Sequence, residues 1–318
     1  MKKIVITGAL GHIGSRLIRV LPYTFPEAEI DLIDNLSTQR YCSLFNLPKN
    51  GKYRFLERDI LTDNIDDIMS GADAVIHLAA ITDAAGSFAI KDRVEKVNLE
   101  GTKIVANACL RTGCALVFLS TTSVYGTQKE VVDETCTAED LKPQSPYAES
   151  KLRAEQFLAN LGHTDNFSFV VCRFGTIFGV SPGMRFHTAV NKFVWQACSG
   201  EPITVWRTAL NQRRPYLDLG DAVRALAVIL RRKQFDRSVY NVVTTNATVA
   251  EIVQTIQSYI SDLKIKYVDS EIMNQLSYTV SSERFRKLGF RFKGSLEKAV
   301  ADSVGRLKNI RSAASNVI

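Results

Sequence analysis

Three glycines near the start of the chain have the spacing of a turn that binds phosphate. Gly8, Gly11 and Gly14 follow a β-branched run at 3–6 and enter a stretch, 13–20, whose apolar residues recur at helical spacing. Such a turn aims backbone N–H groups and the positive end of a helix dipole at a phosphate. The pattern therefore favours the pyrophosphate of a dinucleotide. Its glycines lie three and three apart, unlike the usual fingerprint, so an ordinary strand-to-helix turn is the alternative.

Two acidic residues extend this interpretation. The second apolar strand, 30–33, ends at Asp34, whose carboxylate is able to accept both hydrogen bonds from an adenosine ribose and would repel a 2′-phosphate. The pattern therefore predicts NAD rather than NADP. Asp59 follows the third strand, 53–58, and is placed to accept the adenine amino group, although a helix-capping role is an equally ordinary interpretation.

A phenol and an ammonium group share a helix face later in the chain. Ser145 is a good N-cap and Pro146 a good first helical residue, which predicts a helix over 147–161 closed by Gly162. Tyr147 and Lys151 are four residues apart and lie on one face of it. This arrangement suits proton exchange, and a surface pair on an amphipathic helix is the alternative.

The elements that must position these groups alternate between strand and helix. This alternation predicts an α/β fold, a Rossmann-type doubly wound parallel sheet with a smaller C-terminal lobe. Ligands bind such sheets beyond the carboxyl ends of the strands, where 79–80 and 120–123 fall. We expect residues 1–175 to form the NAD-binding domain, with a return to it at about 214–244, and 176–318 to form mainly a substrate-binding lobe.

Several element boundaries are also predicted. Pro22 is expected to stop the first helix, Gly113 to close a long helix over 92–112, and Thr248 to open another with a capping box. In the C-terminal lobe, the pattern predicts a helix from about 186 to 199 and a strand over 203–206.

Composition narrows the class of protein. The chain has 318 residues, 46% of them hydrophobic, and the glycine turn interrupts the apolar run that a signal peptide would need, so we expect a soluble cytoplasmic enzyme without a membrane partner. The net charge of +7 is scattered, which argues against a nucleic-acid partner. Six cysteines without metal-ligand spacing predict reduced thiols and no metal.

Taken in order, these motifs resemble the extended short-chain dehydrogenase/reductase family, most of all its nucleoside-diphosphate-sugar epimerases and dehydratases of the UDP-glucose 4-epimerase type. The likeness covers nearly the whole chain. It is carried by the segments TGALGHIG (7–14), DNLST (34–38), DI (59–60), HLAA (77–80), VNLEGT (97–102), STTSVYG (120–126), YAESK (147–151) and RPYLDLGD (214–221).

The resemblance implies a catalytic set. Tyr147 would be the general base, Lys151 would bind the nicotinamide ribose and favour the phenolate, and Thr121 would hydrogen-bond the substrate oxygen. A phenol titrates near pH 10, so this role asks for a pKa depression of about 3 units, or ~4 kcal/mol, and Lys151 one turn away is expected to supply part of it.

The resemblance also implies two binding sets. The NAD-binding residues would be Gly8, Gly11, His12, Ile13, Gly14, Asp34, Asn35, Ser37, Thr38, Asp59, Ile60, Leu78, Ala79, Ala80 and Asn98, together with Tyr147 and Lys151. The residues for a nucleoside-diphosphate sugar would be Thr122, Ser123, Thr176, Arg185 and Arg214, with Arg214 the first choice for the diphosphate because a planar guanidinium suits phosphate oxygens.

Two neutral side chains decide the predicted reaction. Dehydratases of this family commonly carry Asp-Glu after the catalytic threonine, where this chain has Thr122 and Ser123. The prediction is therefore epimerisation at C4 through a transient 4-keto sugar. A 4,6-dehydratase, aided by an acid from 130–134, or a 4-dehydrogenase/reductase is the alternative, and a non-catalytic NAD-binding sensor or scaffold is the second.

The same helices predict self-association. Those at 92–112 and 147–161 each carry more apolar surface than one sheet contact needs, and relatives pair through them as a four-helix bundle. We expect a homodimer with Leu110, Leu152 and Leu158 among the contacts.

Overall fold

The computed structural model describes residues 1–126, 129–269, 277–307 and 309–310. Its strands are β1 (Lys3–Thr7), β2 (Glu29–Asp34), β3 (Lys52–Glu57), β4 (Ala74–His77), β5 (Ala115–Thr121), β6 (Val131–Val132), β7 (Phe169–Phe174), β8 (Thr176–Phe178), β9 (Ile203–Trp206), β10 (Arg213–Asp218), β11 (Val239–Val242), β12 (Thr245–Thr248), β13 (Ile265–Val268) and β14 (Thr279–Val280). Its helices are α1 (His12–Thr24), α2 (Asp66–Met69), α3 (Lys91–Glu95), α4 (Gly101–Thr112), α5 (Pro146–Thr164), α6 (Ala189–Ser199), α7 (Leu219–Arg232), α8 (Val249–Gln257), α9 (Glu283–Lys287) and α10 (Leu296–Leu307).

Seven strands form the main sheet, in the order β11-β7-β5-β4-β1-β2-β3, and every neighbouring pair in it is parallel. The predicted doubly wound α/β fold is confirmed. After β3 the chain crosses back to place β4 on the other side of β1. The carboxyl ends of β1 and β4 therefore border the switch point, where open sheets of this kind bind their ligands.

Hydrophobic cores cover both faces of this sheet. Helices α1 and α7 pack on one face, and α4 and α5 on the other. The C-terminal part builds a further core around α6, α8 and α10 and two small sheets, β12-β10-β8 and β13-β9. A third small sheet, β14-β6, packs in a separate cluster with Tyr125 and Tyr278. Of the predicted return at 214–244, α7 and β11 do join the main sheet and its core, whereas β10 belongs to a small sheet. The division into two domains stays a prediction.

The prediction that Pro22 ends the first helix is wrong. Helix α1 continues through Pro22 to Thr24. Proline lacks the N–H that would bond to the carbonyl of Ile18 four residues earlier, and the Tyr53 hydroxyl donates to that oxygen instead, at 2.8 Å. The substitute donor comes from β3, so the local pattern gives no sign of it.

Gly162 does not close its helix either. The Ser145 hydroxyl caps α5 by accepting from the Ala148 N–H at 3.2 Å, as predicted, but α5 runs on to Thr164. A Cβ at Gly162 would lie 2.8 Å from the Phe169 ring. This glycine therefore allows helix and sheet to approach closely.

The predicted long helix at 92–112 is interrupted. A π-helical turn, Lys96–Glu100, separates α3 from α4, and Gly113 closes α4 in the left-handed conformation as expected. The turn directs Asn98 inward to the backbone of Ile81, at 2.8 and 2.9 Å. Such turns are uncommon and often lie beside functional sites.

The structure also tests the predicted capping box, the start of α6 and one dimer contact. The capping box at Thr248 is confirmed, with Glu251 Oε2 accepting from the Thr248 N–H at 2.7 Å, and α6 begins at Ala189, about three residues later than predicted. Leu158 is fully buried under the sheet, so it is wrong as a dimer contact, while dimerisation itself stays a prediction. Among the described residues, all six cysteines are free, and none of the helices is long and apolar enough to cross a bilayer.

Candidate active site

A cavity of about 1070 Å³ opens at the carboxyl ends of the main strands. It is bordered by the glycine turn after β1, the end of β2, the loop after β4 and the loop after β5, and on the far side by β8, β9 and β10. This volume is at the upper end of small-molecule pockets, so it accommodates more than one ligand group. All predicted site residues line it except Asn98.

The glycine turn forms a cradle that side chains would fill. Gly8 has φ +67, and a Cβ there would lie 2.6 Å from the Ala79 N. At Gly14 a Cβ would lie 2.4 Å from the Ala9 carbonyl. The first turn of α1, beginning beyond Gly11, opens onto the cavity and carries no acidic side chain. The cradle therefore fits the pyrophosphate of a dinucleotide.

Asp34 stands at the end of β2 with its carboxylate held in place. Its Oδ2 accepts from the Leu10 N–H at 3.1 Å and its Oδ1 from the Leu36 N–H at 3.0 Å. Asn35 Nδ2 donates to Asp59 Oδ2 at 3.1 Å, which ties the two acids together at one end of the cavity. Ser37, Thr38 and Ile60 line the same end of the cavity, and their contacts with an adenosine stay a prediction.

We expect Asp34→Ala to weaken NAD binding by about 1–3 kcal/mol, because charged hydrogen bonds to a ribose diol are lost. Titration calorimetry on wild type and variant measures this loss. Asp34→Asn is the matched control, since it keeps the shape and an acceptor oxygen while removing the charge. Tighter binding of NADP than NAD by the wild-type protein would show that Asp34 does not select the cofactor.

The predicted direct contact of Asn98 with the cofactor is not supported. Asn98 is fully buried, and its Nδ2 also donates to Ser150 Oγ at 3.1 Å. Its amide spans both backbone groups of Ile81 from behind the loop, out of the cavity. Asn98 therefore positions the loop in which Leu78, Ala79 and Ala80 face the cavity.

Three predicted catalytic side chains converge where β5 meets α5. Thr121 ends β5, and its hydroxyl hydrogen-bonds Tyr147, which stands in the first turn of α5. Lys151 lies one turn further, 3% exposed, with its Nζ 4.8 Å from the centre of the Phe118 ring. Burial lowers the pKa of Lys151 to about 7, against the opposing charge of Glu155.

The electrostatics of Tyr147 differ from the prediction. Burial raises its pKa, while the hydrogen bond from Thr121 and the positive charge of Arg185 act to lower it. Lys151 was expected to supply part of this opposing charge. Arg185, predicted from the sequence only as a substrate-binding residue, is therefore a second cation at the reacting end of the cavity.

A buried polar network that the sequence interpretation missed supports these groups from behind. Arg173 on β7 forms an ion pair with Glu155 on α5, with Nη2 to Oε2 at 2.6 Å, and both are about 5% exposed. Ser120 donates to the same carboxylate. Arg173 Nη1 donates to the Tyr125 hydroxyl at 2.9 Å, which donates to Asn241 Oδ1 at 3.0 Å.

The loop at 179–183 covers the glycine turn. His12 Nε2 donates to the Gly179 carbonyl at 2.8 Å, and the Gly183 N–H donates to Ser15 Oγ at 3.0 Å. A Cβ at Gly183 would lie 2.4 Å from the Leu10 carbonyl, so only glycine fits. This loop leads directly to Arg185, which donates to the Thr82 hydroxyl across the cavity.

The far wall carries the remaining predicted substrate residues. Thr176 begins β8, which pairs with β10 beside Tyr216. The guanidinium of Arg214, on β10, lies 5.2 Å from the centre of the Tyr278 ring, and the Tyr278 hydroxyl donates to the Thr122 carbonyl at 3.2 Å. Tyr278 was not predicted, and it links the predicted diphosphate residue to the catalytic loop.

Acidic groups are scarce at the reacting end. Thr122 and Ser123 line the cavity beside Thr121. In the described part of the loop at 130–134 no acid reaches the cavity, and Glu134 Oε1 instead accepts from the Asn241 N–H at 2.5 Å. The carboxylates that line it are Asp34 and Asp59 at the adenosine end and Asp83, which accepts from the Gly86 N–H at 3.0 Å.

Comparison with known proteins identifies the family. The sequence model of the NAD dependent epimerase/dehydratase family matches residues 4–242. A trifunctional UDP-glucose 4,6-dehydratase/UDP-4-keto-6-deoxy-D-glucose 3,5-epimerase/UDP-4-keto-L-rhamnose reductase from Arabidopsis thaliana is 29% identical over 303 residues. The aligned residues cover 91% of this chain and 45% of that protein, so the chain spans less than half of this relative's length.

Two further similarities extend over most of both chains. The dTDP-D-glucose 4,6-dehydratase of Mus musculus is 28% identical over 321 residues, covering 95% of this chain and 88% of that one. The solved structure of UDP-glucuronic acid 4-epimerase from Bacillus cereus, in complex with UDP-glucuronic acid and NAD, has a TM-score of 0.88. It is 22% identical and covers 96% of this chain and 99% of that chain, a similarity of fold.

Proposed function

The chain belongs to the NAD-dependent epimerase/dehydratase family, whose cofactor is NAD, and we propose that it is an epimerase acting at C4 of a nucleoside-diphosphate sugar. The residues that would hold NAD are the glycine cradle, Asp34 and its neighbours, the loop at 78–80, and Tyr147 with Lys151. Arg214, Arg185 and Thr176 are proposed to bind the substrate.

One observation carries the choice of epimerase over dehydratase. Eliminating water across C5 and C6 needs a base for the C5 proton and an acid for the C6 hydroxyl. The side chains that follow Thr121 are the neutral hydroxyls of Thr122 and Ser123, and Glu134 is bonded to the backbone outside the cavity. Epimerisation at C4 needs only one proton acceptor, which Tyr147 provides.

The protein groups have distinct roles in this mechanism. Bound NAD supplies a reversible hydride acceptor at its nicotinamide. Tyr147 accepts the proton of the C4 hydroxyl and later returns it, and Thr121 stabilises the phenolate with its hydrogen bond. Lys151, held against Phe118, orients the ribose next to the nicotinamide. Asn98, by fixing the Ile81 backbone, keeps the loop after β4 in place along the cavity.

A 4,6-dehydratase is the second candidate, because the mouse dehydratase is similar along nearly the whole chain. A 4-dehydrogenase/reductase would use the same side chains. A sensor or scaffold without turnover fits less well, since Thr121, Tyr147 and Lys151 line one cavity together.

Isotope labelling distinguishes these reactions. We expect incubation with a panel of nucleotide sugars in deuterated water to yield a C4 epimer of unchanged mass with no carbon-bound deuterium, because the only proton exchanged sits on oxygen. Mass spectrometry and NMR measure both. Deuterium at C5 or C6, or a product lighter by one water, would identify a dehydratase, and reduced cofactor accumulating with a 4-keto sugar would identify a dehydrogenase.

A further inference from the structure

Tyr278 bridges two parts of the cavity that come from distant elements. Its side chain is buried, 6% exposed, and it accepts a hydrogen bond from Arg214 while its own hydroxyl donates to the Thr122 carbonyl at 3.2 Å. Burial raises the pKa of Tyr278, so the hydroxyl stays protonated and available as a donor. The hydrogen bond that Tyr278 accepts from the Arg214 cation polarises its hydroxyl group. This polarisation strengthens the hydrogen bond that the same hydroxyl donates to Thr122.

The Thr122 carbonyl belongs to the turn that orients the side chain of Thr121. Strand β5 ends at Thr121, and a 3₁₀ turn, Thr122–Val124, follows at once. The Thr122 oxygen accepts the closing bond of this turn from the Tyr125 N–H at 3.3 Å. The Thr121 hydroxyl caps the same turn by accepting from the Ser123 N–H at 3.1 Å, and it also bonds Tyr147. Tyr278 therefore holds the turn that orients Thr121.

The backbone of Tyr278 is attached to the strand that carries Arg214. The Tyr278 N–H donates to the Arg213 carbonyl at 3.2 Å, and the Arg213 N–H donates to Ser277 Oγ at 2.9 Å. Beyond it, the Val280 N–H donates to Asn246 Oδ1 at 2.9 Å on the neighbouring strand β12. The backbone of Tyr278 thus belongs to the far wall, while its hydroxyl touches the loop of the near wall.

We infer that Tyr278 is a positioning residue that couples the binding of a nucleoside diphosphate at Arg214 to the ordering of the catalytic turn at 121–124. The inference rests on the proposed function, because it takes Arg214 as the diphosphate ligand. A diphosphate fixes the guanidinium by paired charged hydrogen bonds, and the fixed guanidinium fixes the Tyr278 hydroxyl and the carbonyl it holds. Binding energy from the nonreacting end of the substrate is thereby used at the reacting carbon.

Amide hydrogen exchange tests the coupling directly. The NAD-loaded protein is titrated by calorimetry with UDP, dTDP, GDP and CDP, and exchange at 121–125 is measured with and without the one that binds best. In wild type we expect saturation to slow this exchange about tenfold. In Tyr278→Phe we expect the diphosphate to bind within about threefold of wild type while this slowing disappears.

Kinetics supply the second measurement once the substrate is known. Tyr278→Phe should lower kcat by about 10- to 100-fold, with KM changed by less than about threefold, because Thr121 is misaligned while the substrate still binds. Tyr53→Phe is the matched control, since it also removes a tyrosine hydroxyl that donates to a backbone carbonyl, but away from the cavity. It should keep both kcat and the slowed exchange.

The outcomes separate the coupling from the function on which it rests. Slowing retained in Tyr278→Phe, or the same kinetic loss in Tyr53→Phe, would overturn the coupling and leave the diphosphate site intact. Diphosphate binding that Arg214→Gln does not weaken, or no binding by any of the four nucleotides, would contradict the proposed substrate site and the coupling with it.

Discussion

Replacing Tyr147 by phenylalanine is expected to reduce turnover by about 10²- to 10⁴-fold, the range contributed by a positioned general base. The ring still packs in the first turn of α5, and only the oxygen that bonds Thr121 is lost. NAD binding should therefore survive. Steady-state kinetics measure the loss, and titration calorimetry measures cofactor affinity in the same preparation.

Two further variants show whether this loss is specific to the Tyr147 hydroxyl. Tyr23→Phe changes the same group at a side chain that is 73% exposed, and it should leave turnover unchanged. Lys151→Ala should impair both turnover and NAD binding, because that lysine is proposed to contact the cofactor. Full turnover by Tyr147→Phe would move the base to another residue and restore the scaffold interpretation.

Arg173→Met is expected to lower the free energy of unfolding by about 3–5 kcal/mol, because it leaves the Glu155 carboxylate buried without its cation. The pair is enclosed, and Arg173 also donates to the Tyr125 hydroxyl. Urea denaturation monitored by circular dichroism, with an unchanged m-value, would measure this loss.

An exposed ion pair provides the matched control. Arg111 forms an ion pair with Asp66 at 2.7 Å, but its side chain is 57% exposed, so Arg111→Met should cost less than about 1 kcal/mol. In a Glu155→Gln/Arg173→Met double variant, part of the loss should return because no charge remains unpaired. An equal loss of unfolding free energy in Arg173→Met and Arg111→Met would show that breaking the buried ion pair is no more destabilising than breaking the exposed one.

Much of the fold was predictable because the main sheet leaves a local signal. Its buried strands read as short apolar runs, and Gly8 and Asp34 mark the ends of β1 and β2. Helix ends were less predictable where a distant side chain decides them. Pro22 stays helical because of Tyr53 on β3, and Gly162 stays helical because a ring on β7 needs its space.

The residues of the candidate site also differ in how far the sequence predicts them. The glycine turn, Asp34 and the pair Tyr147 and Lys151 follow strand ends or share one helix face, so spacing indicated them. Most of the other residues that border the cavity were implied only by the family resemblance. The support behind them depends on pairing between elements. The ion pair of Arg173 with Glu155 was missed, although a charged residue inside an otherwise apolar strand is a signal that a buried partner must exist. Tyr278 gave no such signal, because only tertiary structure brings it to Thr122.

The loop that covers the glycine turn has a consequence for how the protein is made. The bond from the Gly183 N–H to Ser15 Oγ joins residues 168 positions apart. At roughly 5–20 residues per second, a ribosome needs about 10–30 s to deliver the second after the first. During that interval the nascent glycine turn lacks the loop that covers it, and β11, at one edge of its sheet, is synthesised later still. The glycine turn is thus synthesised well before the loop that covers it, so its native surroundings depend on a part of the chain that emerges much later.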